Sequence, residues 1–205
     1  MVVRFGKHVG VCSAVVEFGE NNRERYVMGD MQEDETVVPT FTPQLTKQEA
    51  LALAATHSSD DPKARKAGEA IRHGDYSFEK LRTIFEWKTK NRGKSRLNKN
   101  SMSEVEEALR LAAMAKEPRS AIAVLKGLSG VNVPVASAIM TLVHPEKYTV
   151  LDFRALEALG DDSGRRSVTF YLHYLRYCAD LAKTWGMSLR DLDHALWHWS
   201  KNRQA

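Results

Sequence analysis

Residues 121–143 read AIAVLKGLSGVNVPVASAIMTLV, and the pattern of this stretch decides the fold. An apolar run ending at Lys126 is followed by Leu128-Ser129-Gly130-Val131-Asn132, and a second apolar run, rich in small residues, starts near Pro134. Gly130 supplies the freedom of φ that a sharp turn requires, and Asn132 is the next most tolerant residue for a left-handed position. The expectation is two helices joined by a tight turn, spanning about 118–143. Such a turn presents backbone N–H groups at the start of the second helix, where the partial positive charge favours a phosphate. Contacts of that type hold a phosphodiester backbone without reading bases.

Working outward, helical signals accumulate on both sides. Thr46 with Glu49, Ser103 with Glu106 and Ser188 with Asp191 have capping-box spacing, while Pro62 and Pro118 suit first-turn positions. Val168, Tyr171, Leu172, Leu175, Cys178, Ala179 and Ala182 recur at helical intervals and predict one buried face. A last helix carries Leu189, Leu192, Leu196 and Trp199, and a middle helix from about Ser77 to Lys90 carries Phe78, Leu81, Ile84 and Phe85. Residues 1–43 differ: VGVCSAVVEF and RYVMGDM are separated by the turn-forming GENN, and an acidic stretch then ends in Pro39 and Pro43. The predicted fold is mainly α, with a small β-containing N-terminal arm over 1–43 and a helical domain over 44–205.

A chain of 205 residues with 43% hydrophobic content is long enough for one domain with a real core. No uninterrupted apolar stretch approaches a membrane span, the first residues carry no convincing cleavage signal, and a cytoplasmic protein is expected. Only Cys12 and Cys178 are present, far apart, which suggests neither a disulfide framework nor a structural metal. The net charge of +4 is mild, but its distribution is not. Acids dominate residues 17–35, whereas residues 88–99 hold Lys88, Lys90, Arg92, Lys94, Arg96 and Lys99 and no acid. Such a run is often only a solvated loop; six cations without an acid also suit a bound polyanion.

The turn and the segment C-terminal to it resemble the helix-hairpin-helix DNA glycosylase superfamily, whose hairpin has a Leu-x-Gly-Val/Ile-Gly turn before a helix rich in small residues. Here the turn is Leu128-Ser129-Gly130-Val131-Asn132, with Asn in place of the second Gly, and HPEKYTVLDFRALEALG continues the pattern. The resemblance covers roughly Ser120 to Gly160 and implies an orthogonal helical array that binds double-stranded DNA and serves base-excision repair, as a monomer, associated with the nucleoid if the source is bacterial. It aligns Asp152 with the family's catalytic aspartate. It also implies that Gly130, Asn132 and Val133 offer backbone groups to a phosphate; no cofactor is expected, a monovalent cation at the hairpin being the one alternative. At the position of the family's Schiff-base lysine stands Pro134, so a glycosylase without lyase activity is expected; Lys126 is no obvious substitute, and an amine from the basic segment is the remaining source.

The candidate residues have plainer readings too. Asp152 follows Tyr148-Thr149-Val150-Leu151 and precedes FRALEALG, so locally it is a helix N-cap. In the glycosylase reading its carboxylate stabilises the oxocarbenium-like sugar formed as a base departs. Lys88, Lys90, Arg92, Lys94 and Arg96 would hold the strand, and Arg154 would assist near Asp152. Trp87, Tyr148, Phe153 and Trp197 are candidates for a base pocket, although aromatics at helical spacing usually face the core. Glu86 is a second polar candidate or a solvated helix position. His194 and His198 lie four apart, but with no third ligand a structural role fits better than a metal. The rival is a non-catalytic DNA-binding protein in which Asp152 is only a cap.

Overall fold

The computed structural model describes residues 38–56 and 61–203. Among the described residues the protein is mainly helical and contains no strand. The helices are α1 (Lys47–Thr56), α2 (Pro62–Arg72), α3 (Phe78–Thr89), α4 (Lys94–Leu97) and α5 (Met102–Met114), then α6 (Pro118–Lys126), α7 (Val133–Val143), α8 (Phe153–Ala158), α9 (Val168–Trp185) and α10 (Leu189–Arg203). None of them is long and apolar enough to cross a membrane. The β-containing arm expected over 1–43, and Cys12 within it, fall outside the described residues up to position 37. Residues from Val38 onward belong to the helical unit: Thr42 and Gln44 donate backbone hydrogen bonds to Leu159 and Ala158, and the Phe41 ring meets Phe170 and Tyr174 edge-on.

Local chemistry explains most boundaries. Thr46 and Glu49 exchange bonds at the start of α1, Ser188 and Asp191 do so at α10, and Pro62 and Pro118 occupy first-turn positions of α2 and α6. The capping box of α5 is Ser101 with Glu104, not Ser103 with Glu106. Ser101 has the extended backbone that a cap needs, and starting there adds about half a turn while Val105, Ala108, Leu109 and Ala112 face inward.

Helix α7 is the centre of the body. Every residue from Val133 to Val143 except Pro134 is buried, and α2, α3, α5 and α6 pack around it. Its polar members bond within it, Ser137 Oγ to the Pro134 carbonyl and Thr141 Oγ1 to the Ser137 carbonyl, so no hydroxyl is lost to the core. Helix α2 reaches α7 through Gly68, where a Cβ would stand 2.4 Å from the Leu142 carbonyl oxygen.

The buried face of α9 is rotated from the predicted stripe. Phe170, Tyr171, Tyr174, Leu175, Cys178 and Ala182 are buried, while Val168 and Leu172 are only half-buried and Ala179 is exposed. The tyrosines turn inward because their hydroxyls have partners there: Tyr171 donates to the Thr149 carbonyl and Tyr174 to the Val150 carbonyl, each at 3.0 Å. Burial pushes both phenols well above their ordinary pKa, which keeps them donors. Cys178, also buried, is held as a thiol for the same reason.

Candidate functional site

The turn between α6 and α7 is held from outside. Asn100 receives the Ser129 amide at 2.7 Å and donates to the Ser129 carbonyl at 3.0 Å. Gly130 carries the left-handed backbone, φ +87°, and a Cβ there would lie 3.1 Å from the Leu97 amide nitrogen and 3.2 Å from Arg96 Cβ. Asn132 is not left-handed. It is extended and caps α7, its side chain accepting from Val135 N at 3.1 Å, so the residue serves as an acceptor rather than for its tolerance of positive φ. The amides of Gly130, Asn132 and Val133 have no acceptor among the described residues. The close packing of Gly130 on α4 sets these donors beside the basic segment.

Asp152 is positioned from two helices. The segment Tyr148–Leu151 is fixed on one side by Ser137 Oγ of α7, which accepts from Leu151 N at 2.9 Å, and on the other by the tyrosine hydroxyls of α9. Asp152 then caps α8, Oδ1 accepting from Arg154 N at 3.1 Å. Its second oxygen receives Lys88 Nζ at 2.6 Å, with side-chain exposures of 12% for Lys88 and 20% for Asp152. Burial raises the carboxyl pKa. The charge and hydrogen bond of Lys88, aided by Arg154, outweigh burial and hold it below the ordinary aspartate value.

These parts border one cavity of about 470 Å³. Lys88, Lys90, Arg92, Arg96, Arg154 and Arg166 line it against a single carboxylate, Asp152; Gly130, Asn132, Phe153 and Trp197 also reach it. Val133 sits at the start of α7 beside this wall. Lys88 meets a carboxylate rather than standing free for a strand, and Lys94 lies outside the cavity, paired with Glu86 at 2.9 Å. Sequence reading of residues 88–99 alone missed both pairings because each acid lies outside that segment.

The aromatic candidates divide. Tyr148 is 2% exposed and packs in the core beside His144, and Trp87 is half-buried against the core; neither lines the cavity. Phe153 and Trp197 do. Arg166 was not expected from sequence, since nothing near SGRRSV marks it; only the fold carries it to the wall. A second concavity of about 470 Å³, bordered by Asp75, Glu106, Glu107 and Arg110, contains none of the expected residues. No family model, curated protein or solved structure matches the chain.

Proposed function

We propose that the chain is a DNA-binding protein whose α6–turn–α7 unit acts as a helix-hairpin-helix within an orthogonal array, and that it hydrolyses the N-glycosidic bond of a base flipped out of duplex DNA. The observation that carries this reading is convergence: the turn before α7 with its unused amide donors, the cations of α3, α4 and the segment between them, and the single carboxylate that caps α8 border the same cavity. The amides of Gly130, Asn132 and Val133 receive a phosphate, and Lys90, Arg92 and Arg96 neutralise its neighbours. A cavity of this size lies within the roughly 300–1,000 Å³ range of small-molecule sites and suffices for one base.

In this account positive charge develops on the sugar as the bond from C1′ to the base breaks, and the Asp152 carboxylate stabilises it and orients the attacking water. Lys88 acts as a positioning residue: its hydrogen bond fixes one carboxylate oxygen and its charge keeps the group ionised. The second reading, a non-catalytic DNA-binding protein, is favoured by the fact that both Asp152 oxygens already have partners. The two readings separate when purified protein is incubated with duplexes carrying a panel of damaged bases and scored for abasic sites, with salt-dependent binding to undamaged duplex measured alongside. Excision from any member supports the first; salt-dependent binding without excision supports the second, and the absence of both contradicts each.

A further inference from the structure

The mouth of the cavity carries a series of aromatic and cationic groups beyond the Lys88–Asp152 pair. Phe153 is 57% exposed, the only aromatic among the large hydrophobic side chains that the described residues expose. It is the first residue of α8, so the Asp152 cap fixes its backbone. The Arg154 guanidinium lies 5.0 Å from the centre of the Phe153 ring and 5.7 Å from that of Trp197, and Lys201 Nζ lies 4.9 Å from the Trp197 ring. Ring, cation, ring and cation therefore alternate, and the first three also border the cavity.

An isolated apolar side chain on a surface is ordinary. An aromatic ring stacked on a guanidinium at the mouth of a cationic cavity is a different object. Every nucleobase has a flat π face able to stack on such a ring, and the neighbouring cations meet the phosphates on either side, an arrangement that tolerates any sequence. In an intact duplex those base faces are already covered by their neighbours. The ring gains a partner only where a base has left the stack.

We propose that the Phe153–Arg154–Trp197–Lys201 ladder binds an unpaired nucleobase and its flanking phosphates, so that the preferred partner is DNA with a locally unstacked base rather than intact duplex. This rests on the DNA-binding reading above and adds the form of DNA selected. Stacking of one base on such a ring should make the preference about tenfold, equivalent to ~1.4 kcal/mol.

The test is fluorescence polarisation with three labelled probes: a perfect duplex, the same duplex with one bulged base, and the single strand. Wild type should bind the bulged and single-stranded probes about tenfold more tightly than the perfect duplex. In Phe153→Ala that ratio should fall close to one, while Phe153→Trp, which restores a stacking face, should keep it. Thermal melts confirm that each variant folds. A wild-type ratio near one, or a ratio unchanged in Phe153→Ala, overturns the inference while leaving duplex binding intact. Failure to bind any probe overturns the DNA-binding reading with it.

Discussion

Lys88 Nζ and Asp152 Oδ2 lie 2.6 Å apart although 64 residues separate them in the chain, and this pair closes the inner wall of the cationic cavity. It sets the acid limb of any Asp152-dependent reaction. Burial alone would raise the carboxyl pKa, and Lys88 reverses that direction. Lys88→Gln leaves burial opposed mainly by Arg154, so the pKa rises and the acid limb of excision moves to higher pH. The stabilising contribution of the ionised carboxylate is complete above the unfolded aspartate pKa and disappears as pH falls through the lower folded value. At neutral pH the substitution should cost no more than ~3 kcal/mol, the lower end for buried pairs, because both groups retain some solvent. Denaturant melts across pH and a pH–rate profile check this; an unmoved acid limb would contradict it.

Gly130→Ala should be harmful twice over. The substitution places a Cβ at φ +87° and within 3.1 Å of the Leu97 amide nitrogen, in a turn already clamped by Asn100. A loss of ~1–3 kcal/mol in stability is expected from the strain, with duplex affinity reduced beyond what the melt explains because α4 and the turn are forced apart. Affinity equal to wild type in the folded variant would remove the turn from the interface.

The sequence signalled the turn and the start of α8 because Gly130 and Pro134 act there through their own backbone angles, and Asn132 and Asp152 through bonds to residues at most three positions away. It did not signal what holds Asp152. Ser137 acts across 14 residues and Tyr171 and Tyr174 across 22 and 24, and a serine in an apolar helix or a tyrosine in an apolar stripe does not announce its acceptor. The same blindness misplaced the face of α9, where Val168 and Leu172 satisfy the period yet tyrosine hydroxyls decide the rotation. Tyr148 and Trp87, offered as pocket candidates, lie against the core, where aromatics at helical spacing usually go.

Salt dependence distinguishes the basic residues from one another. Lys90, Arg92 and Arg96 border the cavity, whereas Lys94 is paired with Glu86 outside it. Replacing the first three by Ala should reduce the slope of log affinity against log salt by about 2–3, close to 0.9 per lost phosphate contact. Lys94→Ala should change it by well under one such step. Equal effects from all four positions would show a diffuse basic surface instead of a defined groove.

Of the two lysines that border the cavity, Lys88 is engaged with Asp152 and Lys90 is assigned to the phosphates, and Pro134 leaves no amine at the start of α7. The product should therefore be an unbroken strand containing an abasic site, cut only after alkali. Borohydride added during turnover should trap no covalent complex. A trapped complex that disappears in Lys88→Gln would contradict this and make Lys88 a nucleophile.

The most direct test of the account is single-turnover excision by wild type and Asp152→Asn on whichever damaged duplex the panel selects, with affinity measured on the same duplex. The account predicts a fall in rate of about 10²–10³, as for removal of one preorganised electrostatic group, with affinity held within about threefold. Excision that survives the substitution, or affinity that falls in step with the rate, would contradict it.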